Sequence, residues 1–169
     1  MPPLVVNCYL GYEVITFSEN KKMVQSLTSL KYQADYSIEE VLEMENIDGI
    51  IIPGGINLKF YPNLNKLIKN LDQDKKLIAA ICAGPQFLAE AGILKMHKFT
   101  VSETKESLEK GGYVDYFNWD NFVDKPFVRS GHIITGQGQG FISFSAEIMD
   151  FFNGFESPSD KENFITDFC

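Results

Sequence analysis

The sequence predicts an α/β protein: a mostly parallel central sheet with helices on both faces. Three observations carry this expectation. Short β-rich runs alternate with helical segments along the chain. Two of those runs, 48–52 (DGIII) and 77–81 (LIAAI), are almost continuously apolar, as strands covered on both faces are. Between them, Phe60, Leu64, Leu67, Ile68 and Leu71 follow helical spacing. The chain of 169 residues fits one domain, 1–169, and 44% hydrophobic with 22% charged residues builds a core rather than a disordered chain.

Each element has its own signal. Residues 13–17 (EVITF) read as a strand, and 23–34 carry short alternating pieces that predict a small hairpin or edge. Ser37-Ile38-Glu39-Glu40 is a capping box, in which Ser37 caps and Glu40 reaches back, opening a helix to about Met44. Strand 48–52, helix 59–71 and strand 77–81 follow. Helix 85–93 has Pro85 in its first turn, where the missing N–H is harmless. A polar helix over 103–110 ends at Gly111-Gly112. The β-rich pieces 127–128 and 133–135 flank Arg129-Ser130-Gly131, a hairpin signal. Phe141, Phe144, Ser145, Ile148 and Phe152 face one side of a last long helix. The acidic tail 158–169 offers Phe164, Ile165 and Phe168 as docking residues.

Charge and composition exclude several classes. A net charge of −8 leaves no basic patch for phosphates, which argues against a nucleic-acid or anionic-membrane partner. No apolar run approaches the roughly 20 residues that span a bilayer, and the N-terminus has no signal-peptide pattern. Cys8, Cys82 and Cys169 are scattered, with no CxxC pair, and there are only two histidines. The expectation is a cytoplasmic protein with neither metal nor cofactor.

The chemistry concentrates at Cys82. The buried run 77–81 stops at this cysteine, and Ala83-Gly84-Pro85 lead straight into a helix. That is the layout of a nucleophile elbow with sulfur in place of a serine oxygen; Ala80, Ala83 and Gly84 supply the small neighbours it needs. A side chain at a helix N-terminus is also favoured as thiolate. The alternative is a small buried core cysteine. A second strand ends in Pro53-Gly54-Gly55, at the same sheet edge if the two strands are parallel neighbours. Backbone N–H groups of Gly55 and Ala83 would then form an oxyanion hole; an ordinary strand-to-helix turn is the other reading. Gly136-Gln137-Gly138-Gln139-Gly140 precedes the last helix; it lacks the Lys-Ser/Thr of a phosphate loop and reads as a tight turn.

These pieces, in this order, resemble the ThiJ/PfpI family of the class I glutamine-amidotransferase-like superfamily. The matching stretches are GYEVITFSE (11–19), DGIIIPGG (48–55), LIAAICAGPQFLAEAGIL (77–94), KFTVSE (98–103) and GHIITGQGQG (131–140). The resemblance covers about residues 11–155. It implies a flavodoxin-like three-layer sandwich, a homodimer, a reactive cysteine at Cys82, and oxyanion donors at Gly54 or Gly55 and at Ala83. Members include hydrolases, glyoxalase- or deglycase-like enzymes, isocyanide hydratases, peptidases and stress proteins.

The departures from that pattern are specific. Where many members have a histidine directly after the cysteine, this chain has Ala83, and at the family's other histidine position it has Ser102. His97 returns toward the far edge of the sheet. His132 begins a strand whose C-terminal end is four residues on, roughly 13 Å away at about 3.3 Å per residue. Neither is placed to act as a base. The family's first strand and its glutamate-bearing loop also have no counterpart ahead of Gly11. Residues 4–10 are a strand by composition, or the remnant of a helix with Pro2-Pro3 at its start and Gly11 as its cap. The helix remnant is favoured, because Gly11-Tyr12 is too short for a parallel crossover. Glu13 is then a strand residue and not the family's acid.

The expected function is that of a cysteine-nucleophile protein, a small-molecule hydrolase, amidase or glyoxalase/deglycase-like enzyme, with Cys82, Gly55 and Ala83 as its catalytic residues. The alternative is a non-catalytic or redox-responsive stress protein in which Cys82 is oxidised; a third is a relic that only binds. Phe60, Tyr61, Tyr116, Phe117, Trp119 and Phe122 fall outside the core stripes, and part of that surface is expected to meet a second subunit.

Overall fold

The structure, a computed structural model, describes residues 5–26, 29–56 and 58–168. A π-helical turn, Val5–Tyr9, opens it, and the Gly11 N–H (φ 71°) donates to the Asn7 carbonyl at 3.2 Å. The N-terminal segment is thus helical rather than a strand, and closes at Gly11; Pro2 and Pro3 lie outside the described residues. β1 (Phe17–Ser18) pairs in parallel with β4 (Tyr36–Ser37), and β2 (Val24–Gln25) pairs antiparallel with β3 (Lys31–Tyr32), the small hairpin read from 23–34. The predicted strand 13–17 shrinks to β1. The physical reason is the lack of a neighbour: the backbone groups of Glu13, Val14 and Ile15 make no backbone hydrogen bond among the described residues.

α1 (Ile38–Leu42) starts from the expected capping box, with the Ser37 hydroxyl accepting from the Glu40 N–H at 3.2 Å and Glu40 accepting from the Ser37 N–H at 2.7 Å. Next come β5 (Gly49–Ile52), α2 (Pro62–Gln73), β6 (Leu77–Ile81), α3 (Pro85–Glu90), α4 (Lys105–Gly111), β7 (Phe127–Ser130), β8 (Ile133–Gly136), α5 (Phe141–Phe151) and α6 (Pro158–Asp167). α2 begins at Pro62 rather than 59, because a residue before proline avoids the helical region; Tyr61 sits at φ −121°, ψ 131°. α3 is shorter than 85–93, since the chain turns at Gly92 (φ 81°). α4 begins at Lys105 rather than 103, because Thr104 and Ser107 cap one another.

The four-stranded sheet has the order β5-β6-β8-β7, with β5, β6 and β8 parallel and β7 antiparallel at the edge. Side chains alternate between its faces. Ile50, Ile52, Ile78, Ala80 and Ile133 join one core with Val41 of α1, Leu67 and Ile68 of α2 and Leu88 of α3. Leu77, Ala79 and Ile134 join the other with Phe144 and Ile148 of α5 and Phe164 of α6. This is the expected three-layer arrangement of the flavodoxin-like fold, and each fully buried isoleucine contributes about 1.5–3 kcal/mol to it. The tail residues Phe164 and Ile165 dock on the second core, and Phe168 packs against Phe164 with the rings tilted, centroids 5.0 Å apart.

The aromatic residues expected to meet a second subunit are half-buried on the chain's own core, apart from Tyr116, which is exposed. Phe117 stacks on the buried Phe99 at 4.9 Å, Trp119 and Phe122 close around the same ring, and Phe60 packs on Phe87 at 5.2 Å. These rings follow no helical or strand period because a loop carries most of them onto the core. Among the described residues no helix is long and apolar enough to cross a membrane.

Candidate active site

Cys82 follows β6 directly and lies between the C-terminal ends of β5 and β8. Its N–H donates to the Gly136 carbonyl at 2.8 Å, continuing the β6–β8 ladder, and its carbonyl accepts the Ser102 N–H at 3.3 Å. Its φ is +61°, in the left-handed region that a residue with a Cβ rarely occupies. Such strain persists only where the surroundings impose it, and it aims the side chain off the end of the strand. The thiol is half-buried and unbridged. A core cysteine has no need of this backbone.

Two glycines make the elbow possible. A Cβ on Gly54 would stand 2.6 Å from the Cys82 Cβ, 2.9 Å from its Sγ and 2.9 Å from the Ala83 nitrogen. A Cβ on Gly84 would stand 2.6 Å from the Ile52 carbonyl oxygen, so only glycine lets α3 start this close to β5. Gly54 is therefore the glycine that abuts Cys82; a Cβ on Gly55 would meet only Leu58, at 3.7 Å. Among the described residues, no group of the chain accepts the N–H of Ala83 or of Gly55. Ala83 is 2% exposed, so its unused donor is an anomaly in a packed interior.

A cleft of about 270 Å³ adjoins the elbow, lined by Val101–Thr104, Phe122, Asp124, Gln137 and Gln139. Ser102, at the family's histidine position, accepts the Gly138 N–H on Oγ at 2.9 Å. The point where a Cβ on Gly138 would stand is 3.6 Å from both Cys82 Sγ and Ser102 Oγ, so Gly138 backbone packs beside the sulfur and Ser102. The glycine-rich run 136–140 is thus a turn that brings backbone close to the cysteine. Gln137 donates to Asp124 at 2.9 Å, and Gln139 donates to Gln137 at 2.6 Å.

Glu103 is the residue that sequence reasoning assigned wrongly, to a polar helix. Because α4 is capped at Thr104, Glu103 stays in the loop and lines the cleft. Its Oε2 is buried with no hydrogen-bond partner, and burial pushes its carboxyl above the usual carboxylate range, its own backbone N–H opposing the shift. The reciprocal Thr104–Ser107 cap was the signal available in the sequence. A larger groove of about 450 Å³ lies beside α6, lined by Phe155, Pro158, Lys161 and Ile165, and no elbow residue borders it.

Both histidines lie at the opposite end of the sheet. The His132 carbonyl accepts the Ile78 N–H where β6 begins, four residues before Gly136, and its ring Nε2 meets Asp72 at 2.7 Å. The His97 Nδ1 meets Ser130 Oγ at 2.9 Å, and the two imidazoles cross at 6.1 Å. Replacing both with glutamine is therefore expected to leave any Cys82-dependent turnover within a few-fold, with the fold followed by circular dichroism. A loss of about a hundredfold in a folded protein, the size of an acid–base contribution, would instead place an imidazole at the sulfur.

A strained cysteine at the C-terminal edge of a parallel sheet, backed by a glycine and beside a free N–H, defines a nucleophile-elbow α/β protein. A family model, the DJ-1/PfpI family, matches residues 3–150. The chain belongs to that family. It is 28% identical over 163 residues to "Glutathione-independent glyoxalase DJR-1.2" of Caenorhabditis elegans, covering 94% of this chain and 82% of that protein. It is 28% identical over 125 residues to "Deglycase TK1284" of Thermococcus kodakarensis, covering 72% and 75%. The crystal structure of the DJ-1 superfamily protein Atu0886 from Agrobacterium tumefaciens superposes with a TM-score of 0.79 at 26% identity, covering 96% of this chain and 85% of that one.

Proposed function

We propose that this chain is a cysteine-dependent enzyme of the glyoxalase or deglycase kind, with Cys82 attacking the carbonyl carbon of a small molecule. The observation that carries the reading is the left-handed backbone of Cys82 beside the unused N–H of Ala83. A thiolate in that position adds to a carbonyl, and negative charge develops on the oxygen. The Ala83 and Gly55 N–H groups are the donors assigned to that oxygen, and they are worth most where water is excluded. The names of the two curated relatives favour 2-oxoaldehydes and their adducts over amides as the substrate class.

The test uses methylglyoxal as substrate and a limiting dose of iodoacetamide. Loss of methylglyoxal consumption is expected to track alkylation of Cys82, mapped by mass spectrometry, and not alkylation of Cys8. Full activity in a protein whose Cys82 is quantitatively alkylated would end this reading. The distance of both imidazoles from the sulfur favours a second reading, a redox-responsive protein. Selective oxidation of Cys82 by hydrogen peroxide, in a protein that consumes no methylglyoxal, is its signature.

A further inference from the structure

β6 lies between β5 and β8, so the turns that leave those two strands flank Cys82. Gly54 stands on the β5 side. Gly138 stands on the β8 side, where a Cβ on it would be 3.6 Å from both the Cβ and the Sγ of Cys82. Hydrogen bonds between three segments close a ring on that side. The Cys82 N–H donates to the Gly136 carbonyl at 2.8 Å, the Ser102 N–H donates to the Cys82 carbonyl at 3.3 Å, and the Gly138 N–H donates to Ser102 Oγ at 2.9 Å. The first two are backbone bonds, open to any residue but proline. The third needs an oxygen on the side chain at 102. Ser102 is exposed, so its hydroxyl supplies no core packing. Its segment is anchored independently: the Thr100 N–H donates to Thr135 Oγ1 of β8 at 2.9 Å, and Thr100 Oγ1 donates to the Lys125 carbonyl at 2.9 Å. The Gln137 N–H is held by the Pro126 carbonyl at 2.9 Å, so losing the third bond frees Gly138 without undoing the turn.

We propose that Ser102 is a positioning residue of this site: by holding the Gly138 backbone against Cys82, its hydroxyl fixes the direction in which the sulfur points. The inference rests on the reading of Cys82 as the attacking group and names what aims it. The left-handed backbone sends the side chain off the end of β6, but rotation about its Cα–Cβ bond still has staggered wells to choose from. Gly54 and Gly138 limit that rotation from either side, and the second wall stands firm only while its N–H is held. Ser102 therefore acts through Gly138 and not on the substrate. A nucleophile displaced by about an ångström loses about a hundredfold in rate, so a wall free to back away lowers turnover and leaves substrate binding intact.

Ser102→Thr and Ser102→Val separate the oxygen from the shape of the side chain, because valine matches threonine in shape and lacks the acceptor. Ser102→Ala and Ser102→Val are expected to lower kcat for methylglyoxal by about ten- to a hundredfold with KM within about twofold, while Ser102→Thr stays within about threefold of native. Deuterium exchange of the Gly138 amide, followed by NMR, is expected to be slow in the native protein and in Ser102→Thr and fast in the other two. Iodoacetamide needs access to the sulfur rather than alignment with a carbonyl, so alkylation of Cys82 is expected to quicken several-fold in Ser102→Ala and to return to the native rate in Ser102→Thr. Native kcat in Ser102→Ala, a Ser102→Thr variant as impaired as Ser102→Val, or a rise in KM in place of the fall in kcat would overturn the proposal and leave Cys82 chemistry standing. A native protein that consumes no methylglyoxal would overturn the carbonyl reading instead. The role of Ser102 then falls if either Cys82 alkylation or Gly138 exchange is the same in Ser102→Ala as in the native protein, and stands if both change as expected.

Discussion

Cys82→Ser is expected to lower carbonyl turnover by on the order of a thousandfold or more, because a serine with no adjacent base stays protonated and weakly nucleophilic. Turnover above about a tenth of native would show that another residue does the chemistry. The same position carries an expected gain in stability. At φ +61° a residue with a Cβ is strained, and glycine is not. Cys82→Gly should therefore unfold at higher denaturant than Cys82→Ala, by roughly 1 kcal/mol, since both lose the thiol but only glycine relieves the backbone. Equal midpoints would mean that the elbow is unstrained. The native cysteine then sits where stability and reactivity oppose one another, which a merely packed cysteine does not do.

Gly54→Ala is expected to disable the site from outside the reacting residues. The added methyl has to occupy space 2.6 Å from the Cys82 Cβ and 2.9 Å from its sulfur, and it presses on the Ala83 nitrogen from the same side. Backbone and Cβ atoms do not give way as the far end of a flexible side chain does. The elbow has to move, at a cost of about 1–3 kcal/mol in stability, as for other overpacked sites. An ångström of misplacement at a nucleophile costs about a hundredfold in turnover. Gly55→Ala is the matched comparison for stability, because its Cβ meets only Leu58 at 3.7 Å and the fold should lose far less. Similar destabilisation by the two substitutions would mean that the contact between Gly54 and the elbow is not what holds Cys82 in place.

Local pattern was enough for the sheet's centre and for the nucleophile. Strands β5 and β6 are apolar on both faces, and only a sheet covered twice accounts for that, while β8 was legible as one arm of the hairpin with β7. The end of β6 at a cysteine among small residues is a purely local signal, and the capping box at Ser37 is another. The placement of both histidines away from Cys82 also followed from strand length and direction alone.

Tertiary structure decided the rest, because each remaining feature depends on residues distant in sequence. The apolar stretch 13–17 has the composition of a strand, yet a ladder needs a partner, and none of the described residues pairs with Glu13, Val14 or Ile15. Loop aromatics that looked free close over Phe99, since a loop's destination has no period to read. Of two adjacent glycines, Gly54 proved to be the one against Cys82, a matter of ångströms between two strand ends. Glu103 looked like the start of a polar helix until the cap at Thr104 left it behind, in a cleft formed by three segments. Sequence alone determines which residues are apolar, small or nucleophilic and in what period they recur. Which glycine abuts the sulfur, and which carboxyl oxygen is buried without a partner, is set only when the chain is folded, because burial and proximity are properties of the whole.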